Sequence, residues 1–302
     1  MQKTIFLSLP YTASIKNLIS DKFLSEFKDS RLIIFSPVDK NKNLFFKKLK
    51  KYNVIYIKYN EQNILLNVIT FLINNLKTIN LLRKKKIMTL ETFIKMHNNN
   101  CSNEIIKPFR FLNNNILKFL SHSKILISTL EMFRLTLILL SSLNYIYFFI
   151  KYRPNTFFTA HPFANVDLPL QQIANFLNLK KIALIHSWDN ISSKFKMHFD
   201  YDKILVWNEI QKKQLKYIYE YSDSKIKVTG IPFVDDFVHS KIIKKKAFFK
   251  KNRLDPQKKL ITIFGTTEEY IPHLDLILKK IVDMTNKNEF DKVTQLWMRP
   301  HP

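Results

Sequence analysis

Glycine is almost absent from this chain, because only Gly230 and Gly265 occur among 302 residues. Lysine outnumbers arginine 42 to 7, and asparagine, isoleucine and phenylalanine abound, a skew that suggests AT-rich coding sequence. Each glycine ends a run that predicts a β-strand, Lys225–Thr229 and Leu260–Phe264. Glycine enters positive φ freely and lets a ligand approach the main chain closely. We therefore expect both glycines at strand-to-loop turns, either as ordinary turn residues or at a ligand-binding edge.

Cysteine and long apolar runs are also scarce. Cys101 stands alone, so an intrachain disulfide is excluded and a reducing, cytosolic setting is predicted. The apolar run Ile5–Leu9 is too short for the core of a signal peptide. Leu135–Ile150 is shorter than the roughly 20 residues of a membrane span and contains polar residues. It predicts a buried helix, or a helix lying on a membrane surface, in preference to a span.

Negative charge is under-represented, which leaves a formal net charge of +25. Such an excess favours anionic partners. The basic clusters are scattered and contain few arginines, the residues most used to read bases, and no nucleic-acid-binding motif occurs. The sequence therefore disfavours nucleic acid as a partner, and anionic lipid or phosphorylated substrates fit better.

Strand and helix patterns alternate along the chain, which predicts an α/β fold with a parallel sheet. Helical patterns are predicted at about 164–178 and 209–221, and a helix-rich insertion at about 61–150. The predicted strands are Thr4–Leu9, Arg31–Phe35, Asn53–Ile57, Thr156–Thr159, Lys181–His186, Lys203–Trp207, Lys225–Thr229, Leu260–Phe264 and Val293–Met298.

Residues 233–258 interrupt this alternation and predict a connection between two domains. The first domain would span 1–232. Residues 259–302 hold a single strand–helix–strand unit, too small for an independent α/β domain, so we expect the start of a truncated second domain.

The densest polar cluster follows the predicted strand that ends at His186. A histidine in such a loop can serve as a general base near neutral pH, and Asp189 could orient it or take the proton itself. The loop is predicted to line a cleft through Ser187, Trp188, Asn190, Ser192, Ser193 and Lys194. The alternative is a passive loop that caps the next helix, with Trp188 filling a gap in the core.

Three further segments end predicted strands. His161 follows Thr156–Thr159 and is either a second catalytic histidine sharing the cleft with His186 or a structural one. Asn165 and Asp167 come next and are expected to cap a helix. Gly230 ends the strand at 225–229 and is predicted to line the cleft.

The predicted second domain offers candidate phosphate ligands. Gly265, Thr266 and Thr267 lead toward a helix, whose N-terminus suits a diphosphate. Arg299 offers a bidentate fork for phosphate and His301 a donor beside it, although a frayed tail is the alternative. No metal-binding motif occurs in the sequence, so we expect no metal site.

Three short motifs resemble the GT-B superfamily of glycosyltransferases. They are V-T-G-I-P-x-x-D from Val228 to Asp235, F-G-T-T ending at Thr267, and R-P-H-P at 299–302. They resemble most the branch with CDP-glycerol glycerophosphotransferases and UDP-N-acetylglucosamine 2-epimerases of cell-envelope polysaccharide synthesis. The resemblance covers about 156–302, and it implies that a complete member continues past Pro302.

The resemblance implies two Rossmann-like domains, an acceptor bound mainly by the first and a nucleotide-activated donor by the second. His186 or Asp189 would deprotonate the acceptor, and Arg299 and His301 would lie near the donor diphosphate. The expected function is transfer of a sugar to a cell-surface polysaccharide or lipid-linked acceptor, without a cofactor beyond the donor. CDP-glycerol-type transfer and a non-catalytic basic binding protein remain alternatives. The expected location is the cytoplasm, with docking on the inner membrane face.

Overall fold

The computed structural model describes residues 3–39, 49, 51–52, 54–59, 64–92, 114–232, 234, 238, 242–265, 273–290 and 292–299. The chain forms two compact units, Met1–Val238 and His239–Pro302.

The first unit contains a seven-stranded sheet in which all neighbouring strands are parallel. The strands lie in the order β3-β2-β1-β4-β5-β6-β7. They are β1 (Thr4–Ser8), β2 (Arg31–Ser36), β3 (Val54–Lys58), β4 (Thr156–Thr159), β5 (Lys180–Leu184), β6 (Lys203–Val206) and β7 (Ile226–Val228). The predicted α/β class is confirmed, and each strand lies within one or two residues of its predicted position.

Helices connect the strands and cover the sheet, as parallel pairing requires. In the first unit the helices are α1 (Thr12–Leu18), α2 (Asp21–Ser25), α3 (Ile64–Lys84), α4 (Asn114–Leu120), α5 (Lys124–Tyr152), α6 (Leu168–Phe176), α7 (Asn190–Ser193) and α8 (Glu209–Tyr219).

Polar side chains cap the N-termini of two of these helices. The Ser123 side chain accepts a hydrogen bond from the Leu126 amide and begins α5, and Asn208 caps α8 in the same way.

Both faces of the sheet are buried, so its central strands are continuously apolar. One face packs on α1 and α2 through alternate strand residues such as Leu7 and Ile34. The other face packs on α5 and α6 through residues such as Phe6 and Phe157, which meet Phe149 of α5. The Phe6 and Phe149 rings pack edge-to-face with their centroids 4.7 Å apart.

The second unit pairs β8 (Lys259–Phe264) with β9 (Thr294–Arg299) in parallel. Its helices are α9 (Lys245–Lys251) and α10 (Leu274–Asn286), and α10 connects the two strands. The ring of Phe248 packs edge-on against Trp297 at 5.4 Å, which joins α9 to β9.

The run Leu135–Ile150 lies within α5, and the structure contradicts a buried helix there. Two helices, α3 and α5, have the length and hydropathy of a membrane span among the described residues. The apolar window of α3 is 56% buried, whereas that of α5 is only 17% buried. Composition alone does not separate the two, because a core helix and an exposed apolar helix share the same residues.

Candidate functional site

The strand order reverses direction between β1 and β4, which are neighbours in the middle of the sheet. Ser8 and Thr159 are paired where these strands end, and the Ala160 amide donates to the Ser8 carbonyl at 3.0 Å. Such a reversal opens a crevice beyond the carboxyl ends of the strands, where α/β folds bind ligands. The two histidines singled out from the sequence belong to this edge.

His161 and His186 lie two residues beyond the ends of β4 and β5, and the fold brings them together. Their ring centroids are 5.6 Å apart, with the ring planes at 44°. Tyr11, which follows β1, meets His161 edge-on at 5.0 Å. His161 is only 8% exposed, whereas His186 is half-buried and reaches solvent. We call His161, His186, Asp189, Lys194 and Tyr11 the edge site.

The surroundings of both imidazoles favour the neutral ring. Burial, followed by the nearby charges of His186 and Lys194, lowers the pKa of His161 from 6.5 to about 3. Burial also lowers the pKa of His186, and the Asp189 carboxylate partly opposes that shift. Nδ1 of His161 has no hydrogen-bond partner within the described part of the chain. A neutral imidazole can accept a proton, so His186, the more exposed ring, is the better placed base.

Asp189 carries the negative charge of the edge site. Burial alone would raise the pKa of its carboxyl group, but hydrogen bonds from Ser187 and Ser193 lower it overall, with help from Lys194. The Ser193 hydroxyl donates to Asp189 Oδ2 at 2.7 Å. The amides of Ser192 and Ser193 both donate to the Asp189 carbonyl, at 3.0 and 2.9 Å. An ionised carboxylate is therefore held in place beside the two neutral rings.

The loop after β5 is anchored by its own side chains. The Ser187 amide donates to Asn190 Oδ1 at 2.8 Å, and Gln211 Nε2 of α8 donates to the Ser187 carbonyl at 3.0 Å. Asn190 is buried, so it supports the loop instead of facing a ligand. Trp188 is 71% exposed, which contradicts the alternative in which it fills a gap in the core. A large exposed aromatic beside the edge site offers a flat apolar surface for contact with a ligand.

Sequence reasoning missed a buried polar network directly behind the histidines. The Thr159 hydroxyl donates to Asp167 Oδ2 at 3.0 Å and accepts from the His161 amide at 3.2 Å. Gln171 Nε2 donates to Asp167 Oδ1 at 2.7 Å, and the Tyr201 hydroxyl donates to Gln171 at 2.6 Å. Burial raises the pKa of Asp167 to about 6, although these hydrogen bonds oppose the shift. The network fixes the backbone that carries His161.

Asp167 was expected to cap a helix, and it occupies the N-cap position of α6 without capping it through its side chain. The carboxylate turns into the core because Thr159 and Gln171 supply donors there. The four-residue separation of Asp167 and Gln171, which places them on one face of a helix, was the available sequence signal.

The remaining predicted residues belong to the end of β7, to the second unit or to segments outside the described residues. Gly265 and Arg299 meet at the carboxyl ends of β8 and β9, where the Gly265 amide donates to the Arg299 carbonyl at 2.8 Å. Gly230 has φ +81°, so its turn requires the left-handed conformation. It follows β7, two strands from β5. Thr266, Thr267 and His301 lie outside the described residues.

Within the described ranges, no group of three or more histidine, cysteine, aspartate or glutamate side chains could hold a metal ion.

No protein-family model matches the sequence, and no curated protein matches it. Among solved structures, the chain is similar to a crystal structure of a glycosyltransferase from Rickettsia africae ESF-5. The two are 12% identical with a TM-score of 0.45, over 99% of this chain and 68% of that chain. A similarity at this level does not assign an activity. The function proposed below rests on the residues of the edge site.

Proposed function

We propose that this protein is a glycosyltransferase that moves a sugar from a nucleotide-activated donor to a cell-surface polysaccharide or lipid-linked acceptor. The observation that carries the proposal is the contact between the rings of His161 and His186 at the carboxyl edge of a Rossmann-ordered sheet. Transfer to a hydroxyl group is assisted by a proton acceptor that is unprotonated at neutral pH, and the lowered pKa of His186 favours that form.

In the proposed reaction, the acceptor hydroxyl gives its proton to His186 as its oxygen bonds to the anomeric carbon of the sugar. The bond from that carbon to the nucleoside diphosphate breaks, and the diphosphate leaves with the electron pair. The imidazolium that forms is stabilised by the ionised Asp189, because an opposite charge nearby favours the protonated ring. His161 stays neutral in its buried position and positions the acceptor together with Tyr11.

The second unit is proposed to bind the donor. Arg299 is exposed at the end of β9 beside Gly265, so its guanidinium is free to form two parallel hydrogen bonds with a diphosphate. Thr266, Thr267 and His301 remain predicted donor ligands. The charge of the leaving diphosphate would be met by these donors and basic side chains, so the mechanism requires no metal.

The test is a release assay with purified protein, a panel of UDP-sugars and CDP-glycerol, and a polysaccharide or lipid-linked acceptor. We expect acceptor-dependent release of nucleotide from a UDP-sugar. Release from CDP-glycerol alone would instead assign glycerophosphate transfer. Absence of release from every donor, together with salt-sensitive retention of DNA or RNA, would overturn the proposal in favour of a basic binding protein.

A further inference from the structure

The outward face of α5 carries no charged side chain between Lys124 and Lys151, although charged residues make up 24% of the chain. Large apolar side chains dominate this face. We define the α5 face by its exposed members Ile125, Met132, Phe133, Leu135, Leu139, Leu140, Leu143, Ile146, Tyr147 and Ile150. An exposed apolar surface of this length marks a site of interaction with a protein or a membrane.

The charged residues between the two ends of α5, Glu131 and Arg134, point inward. Glu131 pairs with Arg134 at 2.6 Å and also with Lys77 of α3. Arg134 is buried, and its Nη1 lies 3.3 Å from His198 Nδ1. The helix therefore has two distinct sides, with its ion pairs facing the protein and its apolar residues facing outward.

Cationic residues stand at both ends of the α5 face. Lys118 and Lys124 are exposed at the first end, and Lys151 and Arg153 at the second. Lys151 Nζ lies 5.4 Å above the ring of Tyr147, an arrangement typical of an interfacial aromatic and cation. A charge-free apolar face between basic ends matches an anionic bilayer, whose headgroups lie beside its acyl chains.

We propose that the α5 face docks on an anionic lipid bilayer with the helix parallel to the surface. Its apolar side chains enter the boundary between headgroups and acyl chains, and its terminal cations bind lipid phosphates. Phe176 and Leu177 end α6 at the sheet edge where α5 also ends, and both are exposed.

A transmembrane orientation is disfavoured by the packing of α5. Phe149 belongs to the core under the sheet, and the Ser142 hydroxyl donates to the Pro169 carbonyl at 3.1 Å. Spanning would break these contacts and place Glu131 and Arg134 in hydrocarbon, which is costly for charged groups. The helix is also about 43 Å long, well beyond a hydrocarbon core of about 30 Å.

A second copy of the chain is disfavoured by charge. A two-fold interface pairs the same patch on both subunits. Parallel helices would bring Lys124 against Lys124, and antiparallel helices would bring Lys124 against Lys151 and Arg153. Like charges therefore meet at both ends in either arrangement, whereas lipid phosphates neutralise them.

The experiment is cosedimentation of the full chain with vesicles of phosphatidylcholine alone or with about one-third phosphatidylglycerol. We expect binding to the mixed vesicles at least about tenfold stronger than to phosphatidylcholine. The double variant Leu140→Glu/Leu143→Glu changes side chains that are 60% and 64% exposed. It should weaken binding at least about tenfold, and Lys124→Glu/Lys151→Glu should reduce the preference for anionic vesicles.

The matched control is Ile210→Glu/Met88→Glu, at positions that are 67% and 73% exposed and outside the α5 face. It should bind vesicles like the wild type. The proposal would be overturned if the control and the α5 variant bound vesicles equally, or if the wild type did not bind vesicles. Resistance of the bound protein to alkaline carbonate extraction would also overturn it. So would a dimer in sedimentation equilibrium that the α5 variant dissociates. Vesicle binding is measured without donor or acceptor, so its failure is distinguishable from failure of the transferase proposal.

Discussion

Replacing His161 with Asn should make the protein less sensitive to acid. The pKa of His161 falls from 6.5 to about 3 on folding, so between these values the unfolded chain binds one more proton than the folded chain. This histidine therefore favours folding above pH 6.5, and that contribution is lost as the pH falls toward 3. Each pH unit in this window lowers the free energy of unfolding by about 1.4 kcal/mol. Between pH 7.5 and 5.0 the loss amounts to about 2 kcal/mol.

The assay is urea unfolding, followed by circular dichroism at both pH values. The decrease in the free energy of unfolding from pH 7.5 to 5.0 should be about 2 kcal/mol smaller in His161→Asn than in the wild type. Because the comparison is a difference between two differences, the contributions of other titrating groups such as Asp167 and His198 cancel. His122, which is exposed before α5, provides the matched control His122→Asn, expected to lose as much stability as the wild type. An identical decrease in wild type and His161→Asn would refute the burial of a neutral His161.

Three other changes probe separate parts of the structure. Asp167→Asn removes a carboxyl group whose pKa is raised to about 6 on folding, a shift that lowers stability as the pH rises from 5 to 7; the change in unfolding free energy from pH 5 to 7 should therefore be more positive by about 1 kcal/mol in the variant than in the wild type, and an unchanged value in urea titrations would contradict its burial. Gly230→Ala meets nothing within 4 Å but must hold φ +81°, so it should cost about 1 kcal/mol of stability by urea unfolding, and no loss would refute that strain. Arg299→Ala should weaken donor binding at least about tenfold by calorimetry while Lys292→Ala does not, and equal affinities would remove Arg299 from the donor site.

The sheet was predictable because the residue composition of its strands differs from that of the neighbouring helices and loops. Runs such as Arg31–Phe35 are β-branched, aromatic and continuously apolar, which favours a strand buried on both faces. The helical patterns between them are long enough for parallel crossovers. The contact of His161 with His186 follows, since both residues end strands that pair side by side.

The features that sequence reasoning missed depend on tertiary surroundings. Asp167 has the local sequence of a helix cap, and only the packing of Thr159 and Gln171 around it turns its carboxylate inward. The exposure of α5 was equally hidden, because hydropathy does not indicate which side of a helix the fold covers. Glu131 and Arg134 mark the covered side of α5, but this is visible only in the structure, where Glu131 pairs with Lys77 of α3.

The most direct measurement of the central claim, that the edge site activates the acceptor, is turnover and donor affinity in His186→Ala. Loss of a general base typically costs about 10²–10⁴ in rate. We expect turnover to fall within that range while the donor dissociation constant stays within about twofold, since the donor is proposed to bind through the second unit. Turnover equal to that of the wild type would contradict the account.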